Sequence, residues 1–318
     1  MRLLLAALLA SIALPLAALA QYPQRAIKLM VPFPPAGATD IVGRIVAQKL
    51  SERLGQSVVV ENRPGAGGSI GSDLVAKSPP DGYTLLMATS STHSIGPVLQ
   101  KLPYDPIRDF APITHVANVP NVLVVSPKLG VASVKDLVAL AKAQPGKLNF
   151  ASSGVGTIVH LNGELFKMLT GTDMVHVPYK GTALSIPDLA SGNVAMLFDS
   201  LASVMPHVKS GSARPLAVNA PQRSPLLPEI PTLAEAGLPA FDRYTWFGMF
   251  APAGTPADIV RRVQAEVVAS LKAPDLKERF DAVGAEPVGS TPEQFVERIK
   301  SDAVRWADVI RKADVKVQ

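Results

Sequence analysis

Three short segments of the 318-residue chain could do chemistry through their main chain: Pro34-Pro35-Ala36-Gly37-Ala38-Thr39, Ser152-Ser153-Gly154-Val155-Gly156-Thr157 and Tyr179-Lys180-Gly181-Thr182. Each follows a strand-like apolar run and precedes a helical stretch. A helix N-terminus presents unpaired N–H groups and roughly half a positive charge, so an anion is favoured there. Carboxylate capture at such ends needs no arginine. Taken singly, each segment also reads as an ordinary connector of an α/β protein. Ser, Thr and Gly at every one of them, however, would set many neutral donors around one cleft, where ordinary connectors carry charge as well.

Other chemistries find less support. The absence of cysteine removes disulfides, thiolate metal sites, iron–sulfur ligation and thiol nucleophiles together. The five histidines, at 93, 115, 160, 176 and 207, form no metal-binding pair at helical spacing, so no metal is expected. His160, in the first turn of its helix, reads as a packing or hinge residue. Gly67-Gly68-Ser69-Ile70-Gly71 matches the G-x-S-x-G elbow of an exported serine hydrolase, but that elbow follows a strand immediately, and here Asn62-Arg63-Pro64-Gly65 intervenes. Gly154-Val155-Gly156 lacks the third glycine of a dinucleotide fingerprint, and no Walker loop is present. A binding protein without catalytic residues or cofactor is expected.

The elements that must position these segments are written in the hydropathy. Apolar strand-like runs alternate with amphipathic helical stretches, punctuated by 29 prolines and 23 glycines, which predicts an α/β protein with largely parallel sheets. Strands are expected near 26–33, 58–60, 84–88, 122–125, 148–151, 174–177, 195–198, 214–218 and 244–251. Helices are expected near 39–54, 72–76, 133–143, 157–170, 185–191, 256–271, 274–283 and 292–313. The stretch from Gly96 to Asn121, with Pro97, Pro103, Pro106, Pro112 and Pro120, reads as a connection crossing between lobes. No fixed-period repeat is visible, against solenoids and propellers.

Composition narrows the partners. The hydrophobic share of 47% excludes disorder and leaves room for one large domain or two ordinary ones. The formal charge of +5 comes from Lys and Arg scattered singly, so no nucleic-acid stripe is present. Arg2, the apolar run Leu3 to Leu19 and the small residues Ala18-Leu19-Ala20 predict a secretory signal peptide cleaved after Ala20. That run contains Pro15 and is short for a membrane span. With no cysteine after the cleavage point there is no lipid anchor, and the mature product is expected free in an exported compartment.

Four longer motifs sharpen this. Val31-Pro32-Phe33-Pro34-Pro35-Ala36-Gly37-Ala38-Thr39-Asp40, Glu61-Asn62-Arg63-Pro64-Gly65-Ala66-Gly67-Gly68, Pro80-Asp81-Gly82-Tyr83-Thr84-Leu85-Leu86 and His176-Val177-Pro178-Tyr179-Lys180-Gly181 occur in this order. They resemble the signature series of the Bug-type receptors, the substrate-binding proteins of the tripartite tricarboxylate transporter family. The resemblance runs from about Tyr22 to the C-terminus.

What the resemblance implies is a periplasmic binding protein of type II: two α/β lobes joined by two crossovers, closing on a small organic acid. Residues 21–121 with 245–318 would form lobe 1, and 122–244 lobe 2. A carboxylate would sit between Phe33, Pro35, Ala36, Gly37, Ala38 and Thr39 on one side and Ser152, Ser153, Gly154 and Thr157 on the other, held by backbone amides and ordered waters. Ser90, Tyr179, Lys180, Gly181 and Asp199 are the implied candidates for the far end of the ligand.

Several of these side chains have second readings. Asp199 could be a helix cap or a satisfied buried acid; facing the cleft it would repel carboxylates and favour an ammonium group or a hydroxyl. Lys180 is equally a solvated cation, and Phe33 and Tyr179 could pack the lobes or cover a ligand. Relatives often carry Pro-Gly-Gly where this chain has Pro35-Ala36-Gly37; Ala36 is expected to keep its N–H for the ligand while its methyl narrows the pocket. The implied role is a monomeric periplasmic receptor that delivers a small carboxylate to membrane permease subunits. The alternative is a sensory partner of a membrane kinase. Dicarboxylate, tricarboxylate, amino acid, aromatic acid and amide all stay open as ligands.

Overall fold

The computed structural model describes residues 22–241 and 244–315. The expected signal peptide lies outside these residues. β1 (Ile27–Val31), α1 (Ala38–Leu54), β2 (Val58–Asn62), α2 (Ser69–Ala76) and β3 (Thr84–Thr89) open the chain; a π-helical turn over Ser91–Ile95 leads to α3 (Gly96–Leu99) and β4 (Phe110–Val119). After Pro120 come β5 (Asn121–Val125), α4 (Val134–Ala143), β6 (Asn149–Ser152), α5 (Ile158–Thr170), β7 (Val175–Pro178), α6 (Ile186–Ser191), β8 (Met196–Ser200), α7 (Leu201–Lys209) and β9 (Arg214–Asn219). The chain closes with β10 (Thr245–Pro252), α8 (Ala257–Leu271), α9 (Pro274–Ala282), β11 (Glu286–Pro287) and α10 (Pro292–Lys312).

Local chemistry sets many of these bounds. Gly55, left-handed at φ 68°, ends α1 by donating its N–H to Ser51 O. Ser133 and Thr157 cap α4 and α5 by accepting the amides of Asp136 and His160. Thr291 and Gln294 form a reciprocal capping box at the start of α10.

The strands form two sheets, ordered β11-β4-β10-β3-β1-β2 and β7-β6-β8-β5-β9. β1 runs parallel to β2 and β3, and β6 parallel to β7 and β8. β10 is antiparallel to β3 and β4, and β5 to β8 and β9. The sheets are therefore mixed, not largely parallel as the sequence pattern predicts. Two of the reversed strands, β5 and β10, are those by which the chain enters a different sheet. A chain arriving across the hinge starts at the cleft end and runs away from it, whereas a strand followed by a βα loop runs toward it.

The stretch from Gly96 to Asn121 also differs from its reading as a connection, because it contains the ten-residue β4. Pro112 and two register shifts against β10 break the alternation that would have revealed a strand. Proline has no N–H for the ladder and is tolerated at such irregularities.

Three apolar clusters hold the fold. One runs from Val31, Val46, Leu85 and Phe247 through the hinge to Val122 and Leu197. A second gathers Phe150, Phe166, Phe198 and Phe241, and a third Tyr104, Phe110, Trp246, Phe250 and Phe295. Each fully buried phenylalanine contributes about 1.5–3 kcal/mol of transfer free energy. α10 places Phe295 and Ile299 in the third cluster and Trp306 in the second. It thus tethers the two sheets. Asn121 Nδ2 donates to Thr245 Oγ1 at 3.0 Å, joining the first residues of the two reversed strands. No helix among the described residues is long and apolar enough to cross a membrane.

Candidate functional site

The loop from β1 to α1 is braced by one carboxylate. Asp40, in the first turn of α1, accepts the Ala36 N–H at 3.0 Å and Arg44 Nε at 2.9 Å on Oδ2, and Asn62 Nδ2 at 2.9 Å on Oδ1. Asn62 Nδ2 also donates to Phe33 O at 3.0 Å. Burial opposes the charge on Asp40, but the donors from Arg44, Asn62 and Ala36 outweigh it and hold its pKa below the ordinary carboxylate value. The Ala36 amide is thus spent inside the loop, which corrects the expectation that it serves a ligand. Ala36 sits at φ 63°, a conformation that glycine adopts freely and alanine does not. The first intrahelical bond of α1 runs from Ile41 N to Gly37 O, so the amides of Ala38, Thr39 and Asp40 have no intrahelical acceptor.

The β6–α5 loop is also self-braced. Ser152 Oγ accepts the Gly154 N–H at 3.1 Å and lies 2.7 Å from His176 Nε2. The Gly154 amide, expected to face a ligand, is therefore occupied. Thr157 Oγ1 donates to Gly154 O at 2.8 Å while it caps α5, and Gly156 N donates to His160 Nδ1 at 3.2 Å. The rings of His160 and His176 stack at 4.0 Å beneath this loop. Burial lowers their pKa to about 3 and about 4, so both are neutral at physiological pH.

Between the two sheets lies a cavity of about 60 Å³. At ~10–15 Å³ per water-sized group, it has room for about four to six. Of the sequence candidates, Phe33, Gly37, Ala38 and Thr39 line it from the β1–α1 loop, and Ser153, Gly181 and Asp199 from the other side. Pro35 and Ala36 are exposed on the outer side of their loop. Ser152, Gly154 and Thr157 shape their loop from behind. Ser90 is buried without lining the cavity; its neighbours Thr89 and Ser91 line it instead. Tyr179 Oη donates to Asp188 Oδ2 at 2.6 Å, and Lys180 is exposed outside the cavity.

Asp199 unites readings that the sequence left separate. At the end of β8 it accepts Ser200 N at 2.7 Å and Ser203 Oγ at 2.6 Å, stabilising the start of α7, and it also faces the cavity. Burial pushes its pKa up to about 6, against the hydrogen bonds of Ser203, Ser200 and Thr182. Asn121 and Thr245, the hinge pair, complete this far wall with Ser200. Sequence reasoning missed both. Each is a polar residue heading an apolar strand, a faint signal, and only the tertiary pairing of two crossovers more than a hundred residues apart brings them together.

The lobes touch across the mouth. Ile158 N donates to Ser91 Oγ at 3.1 Å, from α5 to the turn after β3. A methyl group added at Gly181 would lie 2.7 Å from Pro34 Cγ, and one at Gly67 would lie 3.1 Å from Val155 O. These glycines permit close approach of the two halves.

Two α/β lobes, a double crossover and a cavity at the strand ends define a periplasmic binding protein of the two-lobed kind. The chain belongs to the tripartite tricarboxylate transporter family of receptors, whose family model matches residues 42–315. Receptors of this family are periplasmic solute-binding proteins. BugT of Bordetella pertussis is 41% identical over 299 residues, covering 93% of this chain and 92% of its own. Among solved structures, R. palustris Rpa4515 with adipate is 39% identical with a TM-score of 0.90, covering 93% of this chain and 99% of that one. MatC from Rhodopseudomonas palustris with bound malate is 31% identical with a TM-score of 0.86, covering 91% and 100%.

Proposed function

We propose that this chain is a non-catalytic receptor that captures a small carboxylate between its lobes and presents the closed form to permease subunits of a tripartite transporter. The observation that carries the proposal is the pair of facing helix N-termini. Ala38 and Thr39 offer first-turn amides from α1. On α5, Ile158 N is taken by Ser91 and His160 N by Thr157, and Val159, the remaining first-turn amide, belongs to a residue lining the same cavity. Neither lysine nor arginine lines that cavity among the described residues. The adipate and malate of the two solved relatives are carboxylates of the class these amides suit.

In this reading residues 21–121 with 245–318 and residues 122–244 move as two lobes about the Asn121–Thr245 pair. Closure and capture are one equilibrium, because the ligand contacts both lobes only when they meet. The protein is monomeric and free in the periplasm after cleavage at Ala20. Ser69 opens α2 seven residues after the end of β2, with a 3₁₀ turn over Ala66–Gly68 between, so it occupies no strand-to-helix elbow.

Thermal-shift screening of small organic acids tests the proposal. A ligand at a hundredfold excess over its dissociation constant adds about 2.7 kcal/mol to the folded state, an easily read rise in melting temperature. Failure of every acid in a broad panel to shift the protein would overturn it.

A further inference from the structure

The two ends of the cavity have opposite hydrogen-bonding character. The helix ends supply N–H donors. The far wall supplies acceptors. Asp199, 4% exposed, is the charged residue among those lining the cavity. A carboxylate offers about four acceptor positions. The Ser200 amide and the Ser203 hydroxyl take two of them, and the Thr182 side chain also favours the charged form, so acceptor capacity remains for a ligand. Asn121 is fully buried, and its Oδ1 has no partner while its Nδ2 is engaged by Thr245. Ser200 Oγ, on a residue 5% exposed, is likewise without a partner.

Buried acceptors left empty are costly, and a ligand that brings a hydrogen to them recovers that cost. The Ser200 hydroxyl can turn its hydrogen either way, but a second carboxylate would bring lone pairs to those of Asn121 Oδ1 and charge to the charge of Asp199. We propose that Asn121 and Asp199 in the far wall select a carboxylate whose remote end is a hydrogen-bond donor, a hydroxyl or an ammonium group, and disfavour a second ionised carboxylate. It rests on the carboxylate capture proposed above and names the class of acid within it.

The test is a matched series titrated calorimetrically into the full mature protein: unbranched acids of three to six carbons ending in methyl, hydroxyl, ammonium or carboxylate. In the four-carbon set these are butyrate, 4-hydroxybutyrate, 4-aminobutyrate and succinate, with 1,4-butanediol as the analogue lacking a carboxylate. At pH 8 Asp199, with its pKa near 6, is ionised. At the best-fitting length, the hydroxyl or ammonium acid should bind about 5- to 150-fold more tightly than the methyl acid, the range expected for one satisfied buried acceptor. The dicarboxylate should bind no better than the methyl acid.

Asp199→Asn, near-isosteric, should erase the ammonium preference and raise the dicarboxylate's affinity. Should that variant fold poorly, Asn121→Ala serves with the ligand-free melting temperature as control; it should weaken the donor-ended acids and leave the methyl acid unchanged, and an equal loss for every acid would count against the donor assignment. A dicarboxylate binding the wild type as tightly as the hydroxyl acid would overturn the donor assignment and leave carboxylate capture intact. Diol binding as tight as the hydroxy acid would instead overturn carboxylate capture. Silence from every member of the series would overturn both.

Discussion

Substituting Gly181 with alanine places a methyl carbon 2.7 Å from Cγ and 2.9 Å from Cδ of Pro34, on the opposite lobe. Non-bonded carbons settle at about 3.5–4.0 Å, so the two loops must part by about 1 Å. Gly181 has φ 176°, extended backbone that alanine adopts without strain, and neither lobe's core is touched. The proline ring cannot swing aside, and its loop is held by Asp40 through Ala36 and Asn62. Overpacking of this size costs about 1–3 kcal/mol, here charged to the closed state alone.

At 1.36 kcal/mol per tenfold, the dissociation constant of the best acid from the panel should rise about 5- to 150-fold. Calorimetric titration measures it, and the ligand-free melting temperature serves as the control, expected unchanged. Small-angle scattering of the liganded variant should report a more open particle. Truncating the partner as well, in Gly181→Ala with Pro34→Ala, should recover most of the loss, a coupling that a double-mutant cycle isolates. Wild-type affinity in Gly181→Ala would refute the reasoning, because it would mean that Pro34 and Gly181 do not meet in the bound state.

Replacing Asp40 by alanine leaves the Ala36 amide without its acceptor and Asn62 Nδ2 with Phe33 O alone, at a cost of about 1–3 kcal/mol; weakened acid binding in the same titration is expected, and undiminished affinity counts against the brace. The Asp40 pKa is depressed on folding, so its contribution is present above the unfolded value and is lost as pH falls through the folded one; the wild-type melting temperature should drop more steeply below pH 4 than that of Asp40→Asn. Burial depresses His93, His115, His160 and His176 to about 3 or 4, so the unfolded chain binds more protons between those values and about 6.5. Stability should therefore fall as pH is lowered from 7 toward 4, and less so in His176→Gln; a flat profile over that range contradicts the neutral assignment. Ala36→Gly relieves a left-handed alanine and should raise stability by about 0.5–1 kcal/mol, read by denaturant titration, with no gain if the loop holds Ala36 elsewhere in solution.

Much of the framework is legible in the residues themselves. The helix α1 is marked by Ile41, Val42, Ile45, Val46, Leu50 and Leu54 at helical spacing and stopped by Gly55, and it forms where that pattern places it. α8, α9 and α10 likewise begin within a residue or two of the prolines that announce them. The βα segments Pro34–Thr39 and Ser152–Thr157 were recognisable because two prolines or a run of Ser and Gly forbid regular structure at that point. β4 was not. Its alternation is interrupted by Pro112 and by bulges whose cause is the partner strand β10, more than a hundred residues away.

The site divides the same way. Small polar residues at the strand ends mark out which loops could face a ligand, since loop chemistry is local. Which amides remain free within those loops depends on acceptors brought from elsewhere: Asn62 joins Asp40 in bracing the first loop, and His176 backs Ser152 in the second. The far wall has even less local signature. Asn121 and Thr245 become neighbours only because the chain crosses between lobes twice and enters each new sheet at the cleft end. The order of residues thus determined the helices, strands and turns through short-range periodicity and backbone preference. Only the tertiary structure decided which donors and acceptors were left over to meet a ligand, because a hydrogen bond is spent on whatever partner the fold brings within 3 Å.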